Sequence, residues 1–110
     1  MKNYKVIWSK SAERDLEEIV LYIAEENPLN AKKVLNKIKE KASNLSSIPH
    51  KGIIVPELKS FLIFSYHQYS TPPWRIIYRY SNTTVYVVAV IDSRRDIDEL
   101  LINRALRDIN

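Results

Sequence analysis

Three runs of strand-forming residues fill the second half of this chain, FLIFSYHQY (61–69), WRIIYRY (74–80) and VYVVAVI (85–91), with only the four-residue spacers STPP and SNTT between them. Spacers that short leave no room for a crossover, so the strands must run antiparallel as a meander. A meander this apolar needs a second layer on at least one face.

The first half supplies that layer. YKVIW (4–8) is too short for a helix and reads as a first strand. Ser9 or Ser11 can then cap a helix in which Ala12, Leu16, Ile19, Val20 and Ile23 recur at three- and four-residue spacing. Asn27 followed by Pro28 marks a stop and a restart. The second helix carries Ala31, Val34, Leu35, Ile38, Ala42 and Leu45 as one stripe. So short a connection makes the two an antiparallel hairpin that buries its stripes against each other and the sheet. From Ser46 to Lys59 the pattern breaks around Pro49, Gly52 and Pro56, as a loop would. RDIDELLINRAL (95–106) closes the chain as a short helix with Leu100, Leu101 and Ala105 inward.

The predicted class is α+β, a single domain over residues 1–110 with a β-α-α-β-β-β-α order and a four-stranded mixed sheet. Pairing of the first strand with the last would give a parallel central pair reached through the helical crossover. One sheet face packs on the hairpin and the other stays partly open, which is where function is expected.

Composition narrows the chemistry. The single glycine, Gly52, excludes glycine-rich phosphate loops, and the lack of cysteine excludes disulfides, thiolate metal sites and a cysteine nucleophile. His50 and His67 have no ligand spacing, so neither a metal nor a cofactor is expected. No run approaches a membrane span or the core of a signal peptide, and the expected location is the cytoplasm.

Charge is unevenly placed. Residues 10–26 hold six acids and two bases, whereas residues 32–51 hold six lysines and one acid, Glu40. If the two helices are neighbours, much of the lysine charge is compensated internally; nucleic acid, an acidic protein segment and plain solvation all remain open for the rest. On the middle strand Arg75 and Arg79 share a face by alternation, while Trp74, Tyr78 and Tyr80 share the opposite one and read as core or dimer surface. Arg94 and Arg95 follow the last strand. Together these arginines predict a compact positive site at one rim of the sheet, suited to an acidic protein or a phosphate. Pairing with Asp92, Asp96 or Asp98 is the plain alternative.

Taken in order, a first strand ending in Ser9, SAERDLEEIVLYI, NPLNAKKVLNKI, GIIVPEL, WRIIYRY and SRRDIDELL resemble the toxins of the RelE/ParE superfamily over nearly the whole chain. The resemblance implies the RelE/ParE toxin fold, a role in growth inhibition and plasmid stabilisation, and a cognate antitoxin whose largely unstructured segment folds on the toxin. It also implies one of two mechanisms. RelE-like members are metal-independent ribonucleases that cut messenger RNA in the ribosome; ParE-like members act against DNA gyrase without cleaving a bond.

A metal-free ribonuclease needs a base, an acid and cations for the phosphate. Arg75 and Arg95 (or Arg94) match the phosphate-binding arginines of the RelE-like pattern. The lysines of that pattern are missing from FLIFSYHQY, and its closing tyrosine position falls near Leu100 or Leu101. Glu57 and His67 are the available substitutes. The main expectation is therefore a ParE-like toxin that uses Arg75, Arg79, Arg94, Arg95 and Tyr69 to bind antitoxin or target, with gyrase as the target. The alternative is a ribosome-dependent endoribonuclease using Arg75, Arg95, Glu57 and His67. A tyrosine-rich surface larger than one small core needs also admits a homodimer.

Overall fold

Ser9 sets the start of the first helix. In a computed structural model, which describes residues 3–93, 100 and 102–104, its hydroxyl accepts the Ala12 N–H at 3.0 Å and fills one of the donors a helix start leaves unpaired. Strand β1 (Lys5–Trp8) thus turns directly into α1 (Lys10–Ala24). Asn27 does the same for α2 (Pro28–Asn44), accepting the Asn30 N–H at 3.0 Å, and Pro28 stands where a missing N–H costs nothing. Both caps and the helical hairpin agree with the sequence. Ala31, Val34, Ile38, Ala42 and Leu45 are buried, with Leu35 at the margin of the same core.

Among the described residues the sheet has five strands, not four. A turn at Pro49–Lys51 leads into β2 (Ile53–Ile54), then come α3 (Pro56–Lys59), β3 (His67–Thr71), β4 (Trp74–Tyr80) and β5 (Thr84–Asp92). Their order is β1-β5-β4-β3-β2, with β1 parallel to β5 and every other pair antiparallel. The parallel pairing was expected, but β1 lies at an edge rather than in the centre, because the meander continues outward on the far side of β5.

The apolar stretch 61–66 is not a strand. Leu62 adopts a left-handed φ of 62°, and the Leu62 and Ile63 N–H groups close back on Lys59 and Leu58 at 2.9 and 3.0 Å, which ends α3 in a tight reversal. Ile63 packs inward while Phe61, Leu62 and Phe64 are exposed. Four consecutive apolar residues carry no period-two pattern, and the turn takes them out of the sheet.

Each face of the sheet has its own core. The hairpin covers Ile76, Tyr78, Val85, Val87 and Val90. On the face expected to be open, Val55, Leu58 and Tyr66 cover Ile77, Val88, Ala89 and Ile91, with Leu100 and Ile102 packed alongside. Residues 100 and 102–104 are helical, as the closing helix requires; Leu101 and Ala105 lie outside the described residues. Among the described residues no helix is long and apolar enough to cross a membrane.

The one glycine is placed by Tyr78. This fully buried ring donates its hydroxyl to the Pro49 carbonyl at 2.5 Å and accepts the Gly52 N–H at 3.0 Å. A β-carbon on Gly52 would collide with that hydroxyl and with the Gln68 carbonyl. Burial pushes the phenol up to about 12, so it stays a protonated donor at any physiological pH.

Candidate functional site

Arg75 projects from β4 onto the face away from the hairpin, beside Ile77 of the second core. There it is 7% exposed. A buried guanidinium requires a partner, and α3 provides one: Arg75 Nη1 and Nη2 donate to Glu57 Oε1 and Oε2 at 3.0 and 2.8 Å. Nη1 also donates to Gln68 Oε1 at 2.9 Å. These charge-assisted bonds hold the Glu57 carboxyl below its ordinary value, against an opposing push from burial. The pair fastens α3 to β3 and β4.

Arg79 shares that face, as alternation requires. Its guanidinium lies 4.8 Å from the centroid of Tyr86, its cross-strand neighbour. Arg94 and Arg95 lie outside the described residues, so the predicted four-arginine rim is visible only at Arg75 and Arg79. Of these, Arg75 is neutralised by its own acid rather than offered to a partner. The cause is the α3 turn, which the sequence had suggested as open loop.

His67 and Tyr69 are on the other face. His67 pairs with Tyr78 across the β3–β4 ladder; its ring stacks on Tyr78 and lies tilted against Tyr80, with centroids 5.7 and 5.2 Å away. Burial there lowers the imidazole below its usual value. Tyr69 sits two residues on, packed against the hairpin core, with Lys41 Nζ 5.3 Å and Lys51 Nζ 5.9 Å from its ring centre. Thus Glu57 and Arg75 come together as the sequence suggested, but as an ion pair. His67 is separated from both by the sheet.

Sequence reasoning missed a second ion pair, Arg104 with Asp15, at 2.6 and 2.9 Å. Its role follows from the length of β1. That strand pairs with β5 only from Thr84 to Val87, and a bulge at Val88 follows, where Ile77 and Tyr78 face Ala89 and Val87. Beyond the bulge the edge of β5 would be bare. Instead Val87 O accepts the Ser9 N–H at 2.9 Å, Val88 O accepts Ser9 Oγ at 3.4 Å and Arg104 Nη1 at 3.3 Å, and Asp15 Oδ2 accepts the Val90 N–H at 3.0 Å. The signal was present: Asp15 falls among Ala12, Leu16 and Ile19, an acid on the inward side of an amphipathic helix.

Two clefts flank α1. One, of about 580 Å³, is lined by Trp8, Leu16, Val20, Leu21 and Leu35, with Glu13, Glu17 and Lys39 around it. The other, of about 670 Å³, lies between α1 and the end of the β4–β5 hairpin and includes Asp15 and Arg104. Among the described residues no cluster of His, Asp and Glu could hold a metal ion.

The sequence model described as ParE toxin of type II toxin-antitoxin system, parDE, matches residues 6–97. The chain belongs to the ParE toxin family. This ParE-family protein is therefore the toxin component of a type II toxin-antitoxin system, and its fold is that of the RelE/ParE toxins. It is similar to a chain of the chromosomal ParDE toxin-antitoxin system from P. aeruginosa (TM-score 0.69, 16% identity, 84% of this chain and 98% of that one). It is also similar to a chain of the RelBE2 toxin-antitoxin complex from Mycobacterium tuberculosis (TM-score 0.61, 25% identity, 84% and 93%). No curated protein matches the chain.

Proposed function

We propose that this ParE-family toxin acts in the cytoplasm by binding DNA gyrase and blocking it, and that it cleaves no bond. The observation that carries this reading is the Arg75–Glu57 pair. A phosphate-binding arginine must meet its anion with its positive charge available, whereas the Arg75 side chain is 9% exposed and held by two carboxylate oxygens and an amide. A base at Glu57 would have to leave that guanidinium, and its depressed pKa makes it a weak one. An acid at His67 would have to act through the sheet. Neither substitution rebuilds the missing nuclease residues.

The cognate antitoxin is the partner expected of a type II toxin. We place its docking segment in the cleft lined by Trp8, Leu16, Val20 and Leu35, whose apolar floor and charged rim of Glu13, Glu17 and Lys39 suit an amphipathic helix. Of the seven tyrosines, Tyr66 and Tyr78 are buried, Tyr4, Tyr69, Tyr80 and Tyr86 pack against the cores, and Tyr22 is exposed, so a homodimer would draw on little tyrosine surface.

A supercoiling assay tests the target. Stoichiometric toxin should stop purified gyrase from supercoiling relaxed plasmid, and addition of antitoxin should restore it. Undiminished supercoiling at stoichiometric toxin would remove gyrase as the target.

A further inference from the structure

The acidic helix does not neutralise the basic one. Although α1 and α2 pack together as a hairpin, among the described residues none of Lys32, Lys33, Lys37, Lys39 or Lys41 forms an ion pair. Lys33, Lys37 and Lys41 recur at four-residue intervals, so they stand above one another along one ridge of α2, about 6 Å apart along the axis. Lys33 and Lys37 are exposed. At the end of the ridge Lys41 meets Lys51, from the turn after α2, and both ammonium groups lie within 6 Å of the half-buried Tyr69 ring centre.

We propose that this ridge is a binding site for single-stranded nucleic acid, with Lys33, Lys37, Lys41 and Lys51 on successive phosphates and Tyr69 as a stacking surface for one base. The site is independent of the target assigned above. Two polyanions suit a row of uncompensated ammonium groups, nucleic acid and an acidic protein segment. A protein segment also needs apolar anchors at the centre of its footprint. From Asn30 to Gly52 there is no exposed large hydrophobic residue; those among the described residues lie elsewhere, at Ile7 on β1, at Leu21, Tyr22 and Leu29 on the hairpin tip and at Ile53, Phe61, Leu62 and Phe64 beside α3. The ridge offers cations, small polar groups, one aromatic ring and a single exposed carboxylate, Glu40, so the lysines outnumber the acid four to one. Regular cations with an aromatic face are what single strands require, because phosphates supply the charge and every base supplies a π-face. On binding, the two ammonium groups exchange the electron-rich ring for phosphate oxygens and free a face of Tyr69 for the base.

Fluorescence anisotropy of a labelled single-stranded oligonucleotide, titrated with the full chain at several salt concentrations, tests the site. With four lysines on phosphates, log K should fall against log salt with a slope of about −3. Replacing Lys33, Lys37 and Lys41 together by alanine should reduce the slope to about −1. Replacing Lys5, Lys10 and Lys59, which are exposed and lie off the ridge, changes net charge equally and should leave it unchanged. Tyr69→Leu should keep the slope and weaken binding roughly 5- to 100-fold. Equal losses in the two triple variants would overturn the proposal, as would the absence of salt-dependent binding. Displacement by polyglutamate as effective as displacement by unlabelled strand would assign the ridge to an acidic protein instead. Unchanged affinity of Tyr69→Leu would overturn the single-strand assignment.

Discussion

Glu57 reaches from the first turn of α3 to Arg75 at the start of β4 and takes both terminal nitrogens of its guanidinium, at 2.8 and 3.0 Å. An arginine that the sequence assigns to a phosphate is thereby spent on holding a short helix to the sheet. Breaking the pair from the acid side should be costly, because it leaves a buried cation with Gln68 alone. Glu57→Ala should lower stability by about 2–3 kcal/mol in urea denaturation, the partial exposure of Glu57 keeping the loss below that of a fully buried pair. The double variant Arg75→Met/Glu57→Leu should lose less than the sum of the single changes.

The same pair sets an acid limit. The Arg75 guanidinium holds the folded-state pKa of Glu57 below the ordinary glutamate value of 4.5. Its contribution is therefore complete above pH 4.5 and is lost as pH falls toward the folded-state value. Glu57→Gln should flatten the stability profile in that window and leave its shape at neutral pH unchanged.

His67 acts in the same direction at higher pH. Burial against Tyr78 and Tyr80 lowers its folded pKa below the ordinary histidine value of 6.5. Protonation thus favours the unfolded chain, and stability should decline as pH falls below 6.5. His67→Phe should remove that part of the decline, as chemical denaturation from pH 7 to 5 would show.

The caps, the two helices and the 74–80 strand were legible because each rests on local chemistry: Ser9 and Asn27 accept N–H groups of their own first turns, and β4 has one arginine face and one aromatic face. The strand prediction failed at Phe61–Phe64 because its residue types fit a strand while the Leu62 turn is fixed by bonds to Leu58 and Lys59. The site was half legible for a related reason. Alternation puts Arg75 and Arg79 on one face, but no spacing rule reveals that Glu57, eighteen residues earlier, will be folded back onto one of them.

Gly52 should tolerate no β-carbon. Gly52→Ala forces a shift of Tyr78 and Gln68 and should cost about 1–3 kcal/mol by overpacking. Tyr78→Phe in the same chain should recover part of that loss, since the hydroxyl is the nearest obstacle. Thermal unfolding of the two single variants and the double variant gives the comparison.

Asp15→Asn should loosen the edge of β5 beyond its bulge. Loss of the charged partner of Arg104 in a largely buried setting should cost about 3 kcal/mol. Amide exchange should quicken most at Val90, whose N–H Asp15 accepts.

The central claim, that this toxin binds rather than cuts, is tested most directly by mapping messenger RNA ends on purified translating ribosomes incubated with the protein. Intact messenger is the predicted result. Specific cleavage that disappears with Arg75→Ala, in a variant shown to be folded, would contradict it.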